Sequence, residues 1–328
     1  MTTTLVLGAT GFLGGHIALA ALSRGWQVRG LRRRQGSKGI LGSSDVAWFE
    51  GDLDLPGTFD AAFDGAEIVF HAAAYYPNRS GEVGRQVSAA VSQMRNVLQA
   101  ARCHRVGRLV YTSSLTTVGG TGGHVDETHY YLPGSIHQSA YYECKFAMES
   151  EAYRETVSGL PVVILNPTFV LGPGDVHAVF ADVFRLARRG LAAFWLPAMV
   201  NVIDVRDAAR AHLRAAEVGR LGERYLLGGH NLSLRELVDS VNRIVGKPPA
   251  RIRLPDAVID LAVVLSGLIP SLAFAGNHLR AFRRWPAYHS SKAERDLDLA
   301  PRPLMDTLQD ASDWYQERER EQLGGDMV

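Results

Sequence analysis

Cysteine is scarce: Cys103 and Cys144 are the two in 328 residues. Two thiols cannot build a disulfide framework, and a chain of this length buries a sizeable core without staples. Their scarcity fits a reducing cytosol. An excess of one charge sign is also lacking. Lysine and arginine number 35 against 34 acids, for a formal net charge of +1. That balance excludes a surface organised chiefly to neutralise nucleic-acid phosphates. No apolar run is long enough to span a bilayer, which needs about 20 residues. The most apolar stretch, Leu261–Ile269, lies between Asp260 and Pro270 and contains Ser266 and Gly267. It reads as a buried or pocket-lining helix. The alternative is a surface that handles a lipophilic substrate or leans on a membrane. Met1 to Leu7 lacks the charged opening of a signal peptide, so a cytoplasmic location is expected. Repeats and low-complexity segments are absent, and 46% apolar residues exclude disorder.

What is present is an alternation of short β-rich runs with stretches of helical length. Thr4–Gly8, Gln27–Arg32, Val46–Gly51, Glu67–Ala72, Arg108–Ser113 and Pro161–Asn166 read as strands, with helical patterns such as Gly14–Arg24 and Val87–Arg102 between them. Strands that are apolar throughout, separated by helices, predict an α/β fold with a doubly wound parallel sheet covered on both faces. Asn201–Val205 and Arg224–Leu227 read as two later strands returning to that sheet. Prolines break the rhythm after Pro167. The expected organisation is therefore a dinucleotide-binding domain over 1–167, rejoined by 198–230, and a smaller lobe from 168–197 and 231–328.

Directly after the first strand stands Gly8-Ala9-Thr10-Gly11-Phe12-Leu13-Gly14. Glycines at this spacing permit a tight turn and let the backbone approach a pyrophosphate at the positive end of the next helix. A plain strand-to-helix turn has the same composition. In sheets that take NAD, an acid about 20 residues on bonds the ribose 2′-hydroxyl. Here the second strand carries Arg29 and ends in Arg32-Arg33-Arg34, with no acid in the run. Guanidinium forks suit a 2′-phosphate, which favours NADP over NAD; a solvated basic run is the plainer alternative. Asp52, after the third strand, is placed to meet the adenine amine.

Tyr141 and Lys145 are four residues apart, so on a helix they share a face. A phenol titrates near 10 and is a poor acid or base at neutral pH, but a neighbouring ammonium favours the phenolate. Such a phenol can protonate a carbonyl or deprotonate an alcohol. The strand Arg108–Ser113 runs into Ser114, whose hydroxyl falls at the sheet edge where ligands bind. An ordinary Tyr…Lys helix pair and a serine turn would look the same singly.

Together these features resemble the extended short-chain dehydrogenase/reductase family over nearly the whole chain. Gly8, Gly11 and Gly14 match its glycine motif, and His71-Ala72-Ala73-Ala74 is similar to its H-x-A-A segment. Ser114, Tyr141 and Lys145 match the catalytic serine, the acid/base tyrosine and the lysine that bonds the nicotinamide ribose. Asn166-Pro167-Thr168 with Gly172-Pro173-Gly174-Asp175, then Asp204-Val205-Arg206-Asp207 and Ser291-Lys292-Ala293, resemble its later marks. Val28-Arg29-Gly30-Leu31-Arg32-Arg33 is similar to a V-R-x-x-x-R of dihydroflavonol-4-reductase-like members, which puts the phosphate-reading arginine at Arg33. Hopanoid-associated epimerase-like members are also near.

The resemblance implies a sheet of about seven strands. It also implies cofactor contacts from Thr10, Phe12, Leu13, Arg32, Arg33, Asp52, Leu53, Ala72, Ala73, Ala74, Pro167 and Thr168. Substrate contacts are expected from Tyr75, Tyr76, Ser114 and Leu115. No metal is expected, the partner is a small molecule, and a homodimer is the family's habit. The expected activity is an NADP-dependent exchange between a carbonyl and a secondary alcohol on a fairly apolar molecule. The first alternative is a nucleotide-sugar epimerase with tightly bound NAD, for which Arg251, Arg253, Arg280, Arg283 and Arg284 are available. The second is a non-catalytic NADP-binding sensor or scaffold. Leu115-Thr116 after the serine counts against a sugar dehydratase, and Thr117-Val118-Gly119 weakens the epimerase. One departure is clear: Ala90 stands where the family carries an asparagine in N-V-x-G-T.

Overall fold

The computed structural model describes residues 1–77, 82–120, 124–136, 139–175, 180–268 and 286–325. Its first half is six strands separated by loops and helices. These are β1 (Thr3–Leu7), α1 (Phe12–Ser23), β2 (Gln27–Arg32), β3 (Val46–Glu50), α2 (Asp60–Phe63), β4 (Ile68–His71), α3 (Val83–Cys103), β5 (Arg108–Thr112), α4 (Ala140–Val157) and β6 (Val162–Pro167). Side chains along a strand alternate between faces, so a strand covered on both sides must be apolar at every position. Leu5, Leu7, Val69, Leu109, Tyr111, Val162 and Ile164 enter one core with residues of α3 and α4. Val6, Phe70, Val110, Val163 and Leu165 enter the opposite core with residues of α1 and the later helix α6 (Val205–Val218).

All neighbours in the seven-stranded sheet are parallel, in the order β10-β6-β5-β4-β1-β2-β3, where β10 is Arg224–Leu227. The order reverses at β1, between β2 and β4. The crevice at the carboxyl ends of these strands is where open α/β sheets bind ligands.

The smaller lobe is built from β7 (Phe169–Leu171), α5 (Ala181–Arg188), β8 (Phe194–Trp195), β9 (Met199–Asp204), β11 (His230–Ser233), α7 (Leu234–Ile244), β12 (Ile252–Arg253), α8 (Asp256–Leu268) and the helix Leu304–Gly325. Ser233 and Glu236 cap α7 reciprocally, which fixes where it starts. Of the two late strands expected in the large sheet, Arg224–Leu227 joins it and Met199–Asp204 does not. The latter is the middle strand of a three-stranded sheet, β11-β9-β7. The reason is its side chains: Val200 and Val202 fill the lobe's own core with Leu232, Leu237 and Phe184.

The apolar stretch at Leu261 is helical through Leu268, and its two described side chains, Leu261 and Val264, are exposed rather than buried. Ile259 is buried, whereas Val258, Leu261 and Val264 are more than half exposed on α8. Their spacing of three puts them on a face turned away from the core. Residues 269–285, including Ile269, Arg280, Arg283 and Arg284, lie outside the described residues. Among the described residues, no helix is long and apolar enough to cross a membrane.

Candidate active site

The glycine turn sits at the reversal point of the sheet. Gly8 adopts φ +89°, in the left-handed region, and its carbonyl accepts the Gly11 amide at 2.9 Å. A Cβ on Gly8 would lie 2.8 Å from the Ala73 nitrogen, and one on Gly14 would lie 2.2 Å from the Gly8 oxygen. Both positions therefore exclude side chains by contact. The N-cap of α1 is Gly11, with no side-chain cap and no acid in the first turn. Its leading amides thus have the partner-free arrangement that an anion can complete. Thr10 packs its carbonyl against Gly39, and the Phe12 ring meets His16 edge-on. The His16 ring bonds the Pro173 carbonyl at 2.8 Å and ties the glycine turn to the loop that follows β7; burial keeps that ring below its ordinary pKa. Leu13 is half-buried against the α1 core. Close backbone approach and an uncapped helix start are what a dinucleotide pyrophosphate needs, so the residues present fit one.

The arginine run divides. Arg29 donates to the carbonyls of Ala62 and Asp64 and stacks over Phe49, so it holds the fold. Arg32 pairs with Glu50 at 3.2 Å and lies over the Trp48 ring. Parallel register sets Arg32 beside Glu50, so an acid does reach this strand end, from β3 rather than from the run itself. Arg33 and Arg34 are exposed. One Asp52 carboxylate oxygen accepts the Asp54 amide at 3.0 Å. The Leu53 side chain is in the core, and its carbonyl accepts Asn96 at 2.9 Å. Ala90 is fully buried among apolar neighbours, and Gln93 on the same helix bonds Asp54 at 2.9 Å.

At the ends of β4 and β5 the structure gathers Ser114, Tyr141 and Lys145. Ser114 begins a one-turn helix over Leu115–Thr117, and its Oγ accepts the Thr116 amide at 3.2 Å. The Ser114 side chain also shares a hydrogen bond with the Tyr141 phenol. Burial pushes that phenol well above its ordinary range, Tyr76 adds to this, and the Ser114 bond works downward. Lys145 is 3% exposed. Burial pulls its ammonium down to about 8, against the opposing field of Glu149. His71 at the end of β4 is completely buried, its ring nitrogens have no hydrogen-bond partner, and burial with Lys145 nearby drives it down to about 3. It is a neutral wall of the site.

The expected substrate positions separate. Tyr76 is largely exposed and stacks on Tyr141, with ring centroids 6.0 Å apart. Tyr75 packs on the α3–α4 core, and the Leu115 side chain belongs to a buried cluster with Val118, Val125, Leu226 and Tyr288. Ala72 and Ala73 flank the glycine turn, Ala74 is exposed, and Pro167 and Thr168 are buried beside β10, where Thr168 bonds the Leu227 carbonyl at 3.0 Å through its amide. Sequence reasoning missed Glu149 and Arg224. Glu149 was open to discovery, because it follows Lys145 by the same four-residue step that links Lys145 to Tyr141.

The profile of the NAD dependent epimerase/dehydratase family matches residues 4–228. A protein of Synechocystis sp., provisionally named dihydroflavonol 4-reductase, is 32% identical over 326 residues, covering 95% of this chain and 94% of its own. Sterol demethylase protein B of Methylococcus capsulatus is 29% identical over 325 residues, covering 96% and 99%. Among solved structures, a nucleoside-diphosphate-sugar epimerase from Pseudomonas aeruginosa superposes with a TM-score of 0.81 at 27% identity, covering 97% of this chain and 98% of that one.

Proposed function

The chain belongs to the NAD dependent epimerase/dehydratase family and is an NAD(P)-dependent oxidoreductase; on that premise we propose that it interconverts a carbonyl and a secondary alcohol on an apolar small molecule, with NADP preferred. The observation that carries the reading is the hydrogen-bonded Ser114–Tyr141 pair with Lys145 one helical turn further on. The glycine turn, Ala72–Ala74 and Pro167–Thr168 would hold the dinucleotide, and Lys145 its nicotinamide ribose. Bound there, the nicotinamide supplies or accepts the hydride.

The remaining work falls to this chain. Ser114 holds the substrate oxygen beside the phenol. In reduction, Tyr141 delivers its proton to that oxygen as negative charge develops, and in the reverse direction it takes the proton back. Burial alone would keep the phenol protonated at every working pH, so the Lys145 ammonium is needed to lower the cost of the phenolate. His71, neutral and dry, adds no competing proton donor. Arg33 and Arg34, exposed beyond β2, would take the 2′-phosphate. Exposed Tyr76 beside Tyr141, and relatives whose names refer to a sterol and a flavonoid-type substrate, support an apolar ring-bearing substrate.

The test is NADPH oxidation by the purified protein against a panel of ketones and aldehydes. Tyr141→Phe should lose orders of magnitude in rate; near-normal turnover overturns the assignment. One observation favours the epimerase with tightly bound NAD. Glu50 beside Arg32 brings a ribose-hydroxyl acceptor to the strand end. Dinucleotide released on denaturing the purified protein decides, because stoichiometric NAD would favour that second reading.

A further inference from the structure

Behind the reacting residues lies a buried ion pair that the proton-transfer chemistry does not use. Glu149 is on α4, one turn beyond Lys145, and Arg224 opens β10 at the far edge of the sheet. Each is 3% exposed, and Arg224 Nη1 meets Glu149 Oε1 at 2.9 Å. The other carboxylate oxygen accepts from the Ser113 hydroxyl, from Thr117 Oγ1 at 2.6 Å and from Asn166 Nδ2 at 2.8 Å. Two of those partners in turn hold the Ser114 carbonyl, which lies 2.9 Å from Thr117 Oγ1 and 3.2 Å from Asn166 Nδ2. Arg224 also donates to the carbonyls of Glu127, His129 and Thr117, at 2.7, 2.6 and 3.4 Å, and its guanidinium lies over Tyr130.

A buried ion pair seldom adds net stability over apolar residues of similar volume. This one is also costly to assemble, since its halves are 75 residues apart in the chain. A function at the site explains its presence better. We propose that Glu149 is a positioning residue: clamped by Arg224, it fixes the turn that carries Ser114 and stands as the counter-charge to the Lys145 ammonium. The charged and titratable groups around the two are few. Lys145 faces Tyr141, Cys144 and Glu149 from its own helix and His71 from β4. Glu149 faces Lys145 and Tyr153 from α4, Tyr111 from β5 and Arg224 from β10. His71 is neutral, so Glu149 is the anion that both Arg224, which it contacts, and Lys145, one turn back on α4, face in this group.

The inference rests on Tyr141 and Lys145 being the reacting pair, and its test needs no substrate. Trace acetic anhydride labels lysines in proportion to their uncharged fraction, and peptide mass spectrometry reads Lys145 alone across a pH series. The titration midpoint of Lys145 should fall by about one pH unit or more in Glu149→Gln relative to the wild type, the ordinary effect of losing an adjacent opposite charge. That single substitution leaves the Arg224 guanidinium buried without a counter-ion. The double variant Glu149→Gln/Arg224→Met removes both charges together, keeps the volume and should show a smaller fall of the same sign, because the Arg224 charge that opposes the Lys145 ammonium goes too. An unchanged midpoint in a folded variant overturns the inference and makes the pair a structural brace. Failure of the underlying reading looks different: Tyr141→Phe would then turn over normally, whatever the Lys145 midpoint does.

Discussion

Replacing Lys145 by methionine should make the protein more stable while disabling it. The lysine is 3% exposed, and its ammonium titrates at about 8 instead of its ordinary 10.5, chiefly because burial strips its hydration. Each pH unit is worth about 1.36 kcal/mol, so keeping the buried group charged costs the fold about 3 kcal/mol. The sign follows from proton counts. Between pH 8 and 10.5 the unfolded chain still holds this proton and the folded one has released it, so stability rises with pH across that window. Below pH 8 both states are protonated and the cost is felt in full. Methionine keeps the linear side chain and removes the charge. Urea unfolding of both proteins at about pH 7 and about pH 10 reads this one group, because titrations remote from Lys145 are common to the two. The stability advantage of Lys145→Met should shrink by about 2–3 kcal/mol between those two conditions. An advantage that is absent at the lower pH, or that is the same at both pH values, would refute the account of Lys145 as a desolvated cation.

Arg33→Ala should weaken NADPH about tenfold or more while leaving NADH nearly unchanged, since a charge-assisted hydrogen bond is worth about 1.5–3 kcal/mol. Equal losses measured by fluorescence titration would remove Arg33 from the phosphate site. Gly8→Ala should impair dinucleotide binding and lower Tm together, because the new methyl meets the Ala73 backbone at a positive φ; a variant with unaltered Kd and Tm contradicts the close-packed turn. In the lobe, the Tyr315 hydroxyl donates to buried Asp175 at 2.7 Å. Tyr315→Phe should therefore cost about 1–3 kcal/mol in urea unfolding, with the dinucleotide affinity preserved.

The strands of the large sheet are legible in the sequence because burial on both faces leaves a mark within a few residues: Leu5-Val6-Leu7 can hardly be anything but an interior strand. The Tyr141–Lys145 step is legible for a similar reason, since helix spacing is local, whereas Ser114 joins the pair only through the family resemblance. What escapes is what distant segments decide between them. Nothing in Arg32-Arg33-Arg34 announces that β3 will lay Glu50 against Arg32, because register is set by pairing. Arg224 looks like any surface arginine until β10 is placed beside β6. Met199–Asp204 has a strand's composition, yet the choice between two sheets rests on which core Val200 and Val202 complete. The stripe of Val258, Leu261 and Val264 looks like a buried segment only while apolar content is counted without its direction around the helix.

Strand β6 is buried at all six of its positions and has no partner on its outer side until residues 224–227 arrive. A fragment ending at Pro167 would expose a long apolar sheet edge with its amides unpaired, a template for aggregation. The seven-stranded sheet therefore has no boundary after Pro167 at which it can be cut free. During synthesis, every residue between Pro167 and Arg224, strands of the lobe among them, must emerge before the sheet can close, so the two parts of this chain have to fold as one.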